Sequence, residues 1–298
     1  MIGELAALGV ALCWTVSAIL YRKAVLVAKP ISANIVRCVC TSLILVGGLA
    51  VIGKFQVLIS LPAYAIALAC VSGIVGLGVG DTLYMFSLKF IGVARAVPIT
   101  CTYPLFSLLL AVFLQGKAVT LQVVLGAVAI VFGIWLLTQE EGSEGGLPKA
   151  ALVRGAVAAV VTAVVWAISI AMIDMAVTLP QTGTLDSALA INTFRVAAVA
   201  ASLLVSAPVA DRGLSFLKMQ KKTVATLVFA GVVALALGWF LLAYSFLLIP
   251  EAQAVPISST SPLFAAASGM IFLHERLTAK NIAGSMIIVI GIFLLFII

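Results

Sequence analysis

The chain has 298 residues, of which 64% are hydrophobic and only 9% charged, with a mean hydropathy of +1.31. A water-soluble domain keeps roughly a quarter of its residues charged, so this composition excludes an ordinary globular protein and makes lipid the solvent. The formal charge of +7 does not point to nucleic acid, since no basic stripe with interleaved aromatics occurs.

A spanning helix takes about 20 mostly apolar residues. Charges and Pro/Gly clusters delimit ten such segments: 4–26, 31–53, 62–88, 93–115, 119–138, 153–176, 187–208, 222–248, 252–273 and 279–298. The first starts almost at Met1 and is followed by many more, which predicts a spanning helix and not a cleaved signal peptide. The acidic, Gly-rich stretch from Glu140 to Pro148 separates the fifth segment from the sixth and reads as a flexible linker. The expected organisation is therefore a five-helix unit at 1–138, a linker at 139–150 and a second five-helix unit at 151–298. Five cysteines, at 13, 38, 40, 70 and 101, all lie in apolar segments and read as small packing residues.

The two halves are related in sequence. At an offset of 158, Ala96-Val97-Pro98-Ile99 repeats as Ala254-Val255-Pro256-Ile257, and Pro104-Leu105-Phe106 as Pro262-Leu263-Phe264. The same offset pairs Asn34 with Asn192, Arg37 with Arg195, and Gly80, Gly126 and Gly133 with Gly238, Gly284 and Gly291. The first helices align at 152, pairing Trp14 with Trp166 and Ser17 with Ser169. Five helices is an odd number, so the second unit enters the membrane upside down. The charges agree: loops 1–2, 3–4, 5–6, 7–8 and 9–10 hold 3, 2, 2, 4 and 2 Lys or Arg, and the other face holds only Lys54 and Lys117. The positive-inside rule makes the basic face cytoplasmic and puts both termini outside. The predicted fold is all-α integral membrane, ten transmembrane helices as two inverted five-helix repeats, a recurring plan of secondary transporters.

With this five-plus-five arrangement, Gly and Trp early in each half, Arg in each second helix and Pro-Leu-Phe in each fourth, the chain resembles the drug/metabolite transporter superfamily, specifically its EamA-type ten-helix members. The clearest local match is His274-Glu275-Arg276-Leu277-Thr278, similar to a Gly-Glu-Arg-Leu-Thr element before the last helix, with His274 in place of Gly. Its counterpart Gly116-Lys117-Ala118-Val119-Thr120 has Lys for Glu and is a weaker match. The resemblance implies a carrier of small organic solutes, often exported metabolites or amino acids. It also implies cytoplasmic termini in many members, against the charge count here.

Ionisable groups inside spans are costly and are functional candidates by default. Arg37 and Asp81 lie at similar depths on helices adjacent in sequence, which predicts an ion pair between them. Either it is a structural clamp or a gate in which protonation of Asp81 frees Arg37. In the second half Trp239 stands where the first has Asp81, so Arg195 lacks the equivalent carboxylate and becomes the preferred contact for an anionic substrate group. Trp14, Tyr84, Tyr103, Trp166, Trp239 and Tyr244, with Asn34 and Asn192, complete a candidate aromatic cavity with a few polar groups; packing alone accounts for them as well. Pro98, Pro104, Pro256 and Pro262 weaken the fourth and ninth helices at equivalent depths, as hinges or static kinks. Nothing marks an enzyme, a metal site or a nucleotide loop, and no cofactor is expected. The expected partners are a small-molecule substrate and the bilayer of the cell (inner or plasma) membrane, with a monomer as the default.

Overall fold

The computed structural model describes residues 1–115, 120–137, 148–273 and 278–296. The element before the last helix (His274–Leu277), its first-half counterpart (116–119) and most of the linker lie outside the described residues. Among those described, every regular element is a helix. In chain order the main ones are α1 (Ile2–Val27), α2 (Pro30–Val51), α3 (Ala63–Ile91), α4 (Val93–Thr100), α5 (Tyr103–Gln115), α6 (Leu121–Leu137), α7 (Lys149–Val177), α8 (Leu185–Ala210), α9 (Lys221–Leu248), α10 (Glu251–Ser258), α11 (Ser261–Leu273) and α12 (Ala279–Phe296).

Among the described residues, eight segments are long and apolar enough to cross a membrane, two of them running through the α4–α5 and α10–α11 junctions. The helices Leu121–Leu137 and Ala279–Leu295 are apolar but shorter. The ends fall where local chemistry places them. Pro30 opens α2 at a position where its missing N–H costs nothing. Thr184 caps α8, its Oγ accepting from the Ser187 N–H at 3.1 Å. Gly92, at φ 76°, makes the corner between α3 and α4 that a side chain would resist.

The distribution of polarity is the reverse of a soluble protein's. Leu5, Leu12 and Val16 of α1, Val128, Val131 and Trp135 of α6, and Val205 and Val209 of α8 all face outward. Asn34, Arg37, Asp81, Asn192 and Arg195 are all buried, each 3% exposed or less. An apolar belt of that extent is untenable in water and suited to lipid. The core is built from small side chains, Ala7, Ala11, Ala18, Ala159, Ala163 and Ala167 among them, which let helices approach closely.

The halves interlock. Helix α1 packs on α9 and α11 of the second half, α7 packs on α3, and α2 lies against α8 and α9. The pair α6–α12 meets along a glycine seam. A Cβ on Gly126 would sit 2.8 Å from the Gly291 carbonyl, and one on Gly133 2.9 Å from the Gly284 carbonyl. The four glycines related by the offset of 158 thus form one seam, in which each meets the counterpart of the other rather than its own.

One feature sharpens an expectation and another was not predicted. The fourth and ninth segments are each broken, at Cys101–Thr102 and at Ser259–Thr260, and Pro104 and Pro262 stand in the first turns of the helices that follow. The middles of α3 (Gly73–Gly80) and α9 (Val232–Gly238) are π-helical, at equivalent places in the two halves. A π-turn widens the helix and leaves carbonyls poorly served. Asn34 Nδ2 donates to the Leu77 carbonyl at 2.8 Å, and Asn192 Nδ2 donates to its counterpart, the Leu235 carbonyl, also at 2.8 Å. The paired asparagines therefore tie each second helix to the wide turn of the third.

On the basic face, Asp211 lies just beyond α8 with its carboxylate buried, accepting from the Phe216 N–H at 2.8 Å and facing Lys29 at 3.6 Å. Burial pushes its pKa up, but the Phe216 N–H, the Ser32 and Ser215 hydroxyls and Lys29 outweigh burial and hold it below the ordinary value. The resulting stabilisation is complete at neutral pH and is lost as pH falls through the lowered value, beneath about 4. Wild-type melting temperature is expected to fall more steeply than that of Asp211→Asn between about pH 5 and pH 3; parallel pH profiles for the two proteins would show that this carboxylate does not hold the loop.

Candidate functional site

The interlocked helices leave a chamber where α1, α2, α3, α7 and α9 converge. Its walls include Trp14, Tyr21, Arg37, Asp81, Tyr84, Trp166 and Trp239, with Thr100, Cys101 and Ser261 from the breaks in the fourth and ninth segments. Two of the three indoles are seated against a glycine on a facing helix. A Cβ on Gly80 would lie 2.9 Å from the Trp166 ring, and one on Gly238 3.1 Å from the Trp14 ring. Repeat-related glycines thus seat repeat-related tryptophans, each from the opposite half. Trp14 then meets Trp166 at 6.1 Å and Trp239 at 5.1 Å between ring centroids, and Tyr84 meets Trp166 at 5.1 Å. Tyr103 stands edge-on to Trp14 and Trp166 and shares a 2.8 Å hydrogen bond with Ser258.

The Arg37–Asp81 pair is present and fully buried. Asp81 is a junction: Oδ2 takes the Arg37 Nη2 and Oδ1 accepts from Trp166 Nε1 at 2.7 Å. Arg37 also donates from Nε to Asn34 Oδ1 at 2.8 Å and lies over the Tyr21 ring, 4.7 Å from its centroid. One carboxylate therefore joins α2, α3 and α7, the last from the other half.

Arg195 is not without support, although it has no carboxylate. Its Nε donates to Ser72 Oγ and its Nη2 to Ser169 Oγ, both at 2.9 Å, and its guanidinium lies 3.8 Å over the Trp239 ring. Trp239, which replaces Asp81 in the repeat, is thus the aromatic counterpart of that partner. Arg195 Nη1 has no hydrogen-bond partner among the described residues. Arg195 stands outside the chamber wall, with its charge on the Trp239 ring.

Of the residues singled out from the sequence, Trp14, Arg37, Asp81, Tyr84, Trp166 and Trp239 line the chamber, and Tyr103 abuts its indoles. Asn34 and Asn192 serve carbonyls of the π-turns, one step behind it. Tyr244 is placed elsewhere: it stacks on Phe240 at 6.2 Å, half-buried and outside the chamber wall. Depth along α9 suggested it, but its face points away. Pro98, Pro104, Pro256 and Pro262 flank the two breaks, and hydroxyls serve nearby carbonyls. Thr100 Oγ1 donates to Ala96 at 3.0 Å, and Ser261 Oγ to Ser258 at 3.0 Å. Absent from the sequence-based set were Ser72 and Ser169, which hold Arg195, while Tyr21, on the same face of α1 as Trp14, lines the chamber and donates its hydroxyl to the Ala230 carbonyl at 3.1 Å. The repeat pairing of Ser17 with Ser169 was the available signal for one of them.

As it stands, the chamber offers about 30 Å³ to the centres of water-sized molecules. That is room for roughly two waters and too little for a larger guest.

A chain with this many apolar helices, polar groups turned inward and a chamber between two related halves is a multi-pass membrane protein of the transporter type. It belongs to the EamA-like transporter family, whose model matches twice, over residues 1–139 and 153–297. A protein of Archaeoglobus fulgidus described as an uncharacterized transporter is 27% identical over 299 residues, covering 99% of this chain and 98% of its own. One solved crystal structure superposes with a TM-score of 0.66 at 18% identity, covering 98% of this chain and 95% of that one, a likeness of fold.

Proposed function

We propose that the protein is a secondary transporter of small organic solutes, amino acids or related metabolites, which it exports across the cell membrane by alternating access. In this reading the ten apolar segments all span, and the halves are inverted five-helix repeats. The observation that carries it is the small chamber walled by repeat-related residues of both halves. A room for two waters bounded by three indoles and an ion pair is what an occluded carrier presents between its two open forms. Toward the basic face the chamber is followed by buried apolar residues: Ala24 and Val25 of α1, Ala33 of α2, and Leu227 and Ala230 of α9 lie beyond Tyr21, Arg37 and Ala234 along those helices. Breaks in the fourth and ninth segments give the opposite wall places to bend. We assign Arg195, with its unpartnered Nη1, to an anionic group of the substrate such as a carboxylate, reached when Trp239 moves aside.

Counterflow in proteoliposomes, run with a mixed amino-acid and metabolite panel, tests this. The expected result is saturable exchange of at least one solute, with a loss of roughly tenfold or more in Arg195→Ala, the size of one lost charge-assisted hydrogen bond. Absence of exchange for every solute, with folded protein in the liposomes, would remove the transport reading. Exchange that Arg195→Ala leaves intact would return this arginine to packing.

A further inference from the structure

Along α1, α2 and α9, beyond those apolar residues and at the level of the basic loops, a second cavity opens. Its volume is about 600 Å³, twenty times that of the chamber on the same measure. It is lined by the end of α1 (Val27, Ala28), the start of α2 (Lys29, Ser32), the 212–220 connection and Thr223 of α9. Three of the lining residues, Lys29, Arg212 and Lys218, are cationic.

This is a constructed pocket and not a chance gathering of surface lysines. The connection is pinned by Asp211, whose backbone carbonyl accepts from the Leu214 N–H at 2.7 Å while its carboxylate accepts from Phe216. Gly213 at φ 85° and Leu214 at φ 49° turn the chain back between Arg212 and Lys218. The left-handed conformation at a leucine costs about 1 kcal/mol or more and persists only where the surroundings impose it. Lys29 Nζ donates to the Arg212 carbonyl at 3.2 Å, which fastens α2 to the same turn.

The charges do not cancel. Asp211 answers Lys29 at 3.6 Å, while the side chains of Arg212 and Lys218 have neither hydrogen bond nor ion pair among the described residues. Two helix N-termini also meet here: α2 is preceded by Lys29 and α9 by Gln220, and neither has a side-chain cap. Each adds partial positive charge and free N–H groups. Positive potential from two unanswered cations and two helix starts, with Gln220 and Thr223 at hand to donate, matches a tetrahedral dianion better than a single carboxylate.

We propose that this pocket binds a phosphate-bearing anion, held by Arg212 and Lys218 and oriented by the starts of α2 and α9. The chemistry is common to two sources, the headgroup of an anionic phospholipid and a free phosphate, and basic pockets between helices on such faces hold acidic headgroups in membrane proteins generally.

The test uses the full-length protein, delipidated in detergent, with native mass spectrometry and thermal melting as readouts. The probes are cardiolipin, phosphatidylglycerol, phosphatidylcholine and inorganic phosphate. The variant is Arg212→Gln with Lys218→Gln. Lys54→Gln, on the opposite face and paired with Asp186 at 2.5 Å, serves as the charge control. A lipid source appears as retention of cardiolipin or phosphatidylglycerol over phosphatidylcholine, weakened about 20-fold in the double variant and unchanged in the control. A free-phosphate source appears as a melting-temperature rise with inorganic phosphate alone, lost in the double variant. Equal retention of all three lipids together with no response to phosphate overturns the proposal, as does binding that the double variant leaves unchanged. Both variant side chains are exposed, and Arg212→Ala or Lys218→Ala singly replaces the double variant should it fail to fold.

Discussion

Arg37→Ala is expected to cost about 3–5 kcal/mol of stability, because it leaves Asp81 charged, buried and with Trp166 as its remaining partner. For a chain of this length that is a fall of roughly 10 °C in melting temperature, followed by tryptophan fluorescence in detergent. Asp81→Asn should cost a similar amount, since it strands Arg37 instead. The informative variant is the double one, Arg37→Met with Asp81→Leu. Apolar groups of similar volume remove both desolvation costs, so most of the loss should return, though not all, as Trp166 Nε1 then loses its carboxylate acceptor. That variant also separates the two roles open for the pair. A clamp replaced by packing leaves counterflow intact, whereas a gate that must open and close leaves a folded protein without flux. A double variant no more stable than the single ones would mean that the pair is not acting as a unit.

Gly73→Ala is the second large effect expected, about 3 kcal/mol at the upper end of ordinary overpacking. A Cβ there would collide with the backbone carbonyl of Arg195, and a backbone cannot step aside as a side-chain tip can. The repeat-related Gly231→Ala meets Thr41 Oγ1 at 2.5 Å, a group that can rotate, and should cost less. Gly47→Ala, with open space around it, should be neutral or gain up to about 1 kcal/mol from helix propensity. The order Gly73, Gly231, Gly47 in melting temperature is the check. Should all three melt together, α3 and α8 are not held at the close distance the structure gives them.

Much of this was legible in the residues and some was not, for identifiable reasons. Burying Arg37 against Asp81 followed from depth arithmetic, because helical rise is fixed and both residues were counted from the same face. The glycines repeated at an offset of 158 announced close contacts in both halves, and they meet in one seam, Gly126 against Gly291 and Gly133 against Gly284. The partner of Arg195 was not readable. Apolar sequence gives depth but not rotation about the helix axis, and the ring of Trp239 recognises a cation through space without any pattern of spacing. The same ignorance of rotation misplaced Tyr244. The π-turns of α3 and α9 escaped as well, since a residue added to a helical turn leaves hydrophobic content unchanged. Pro98 and Pro104 marked a weak region, but the break itself falls between them, at Cys101–Thr102.

The exchange of Asp81 for Trp239 has a consequence for the energetics of any cycle. Two identical inverted halves would make the two open forms mirror equivalents, equal in energy in a symmetric membrane and equally ready to accept cargo. Here one half closes on a hydrogen-bonded ion pair and the other on a cation against a ring. These respond differently to water entering between the helices: the first gains hydration at both charges, the second at one. The two related halves differ in this way at Asp81 and Trp239, and in the proposed cycle the resting preference of the molecule for one side of the membrane would be written there.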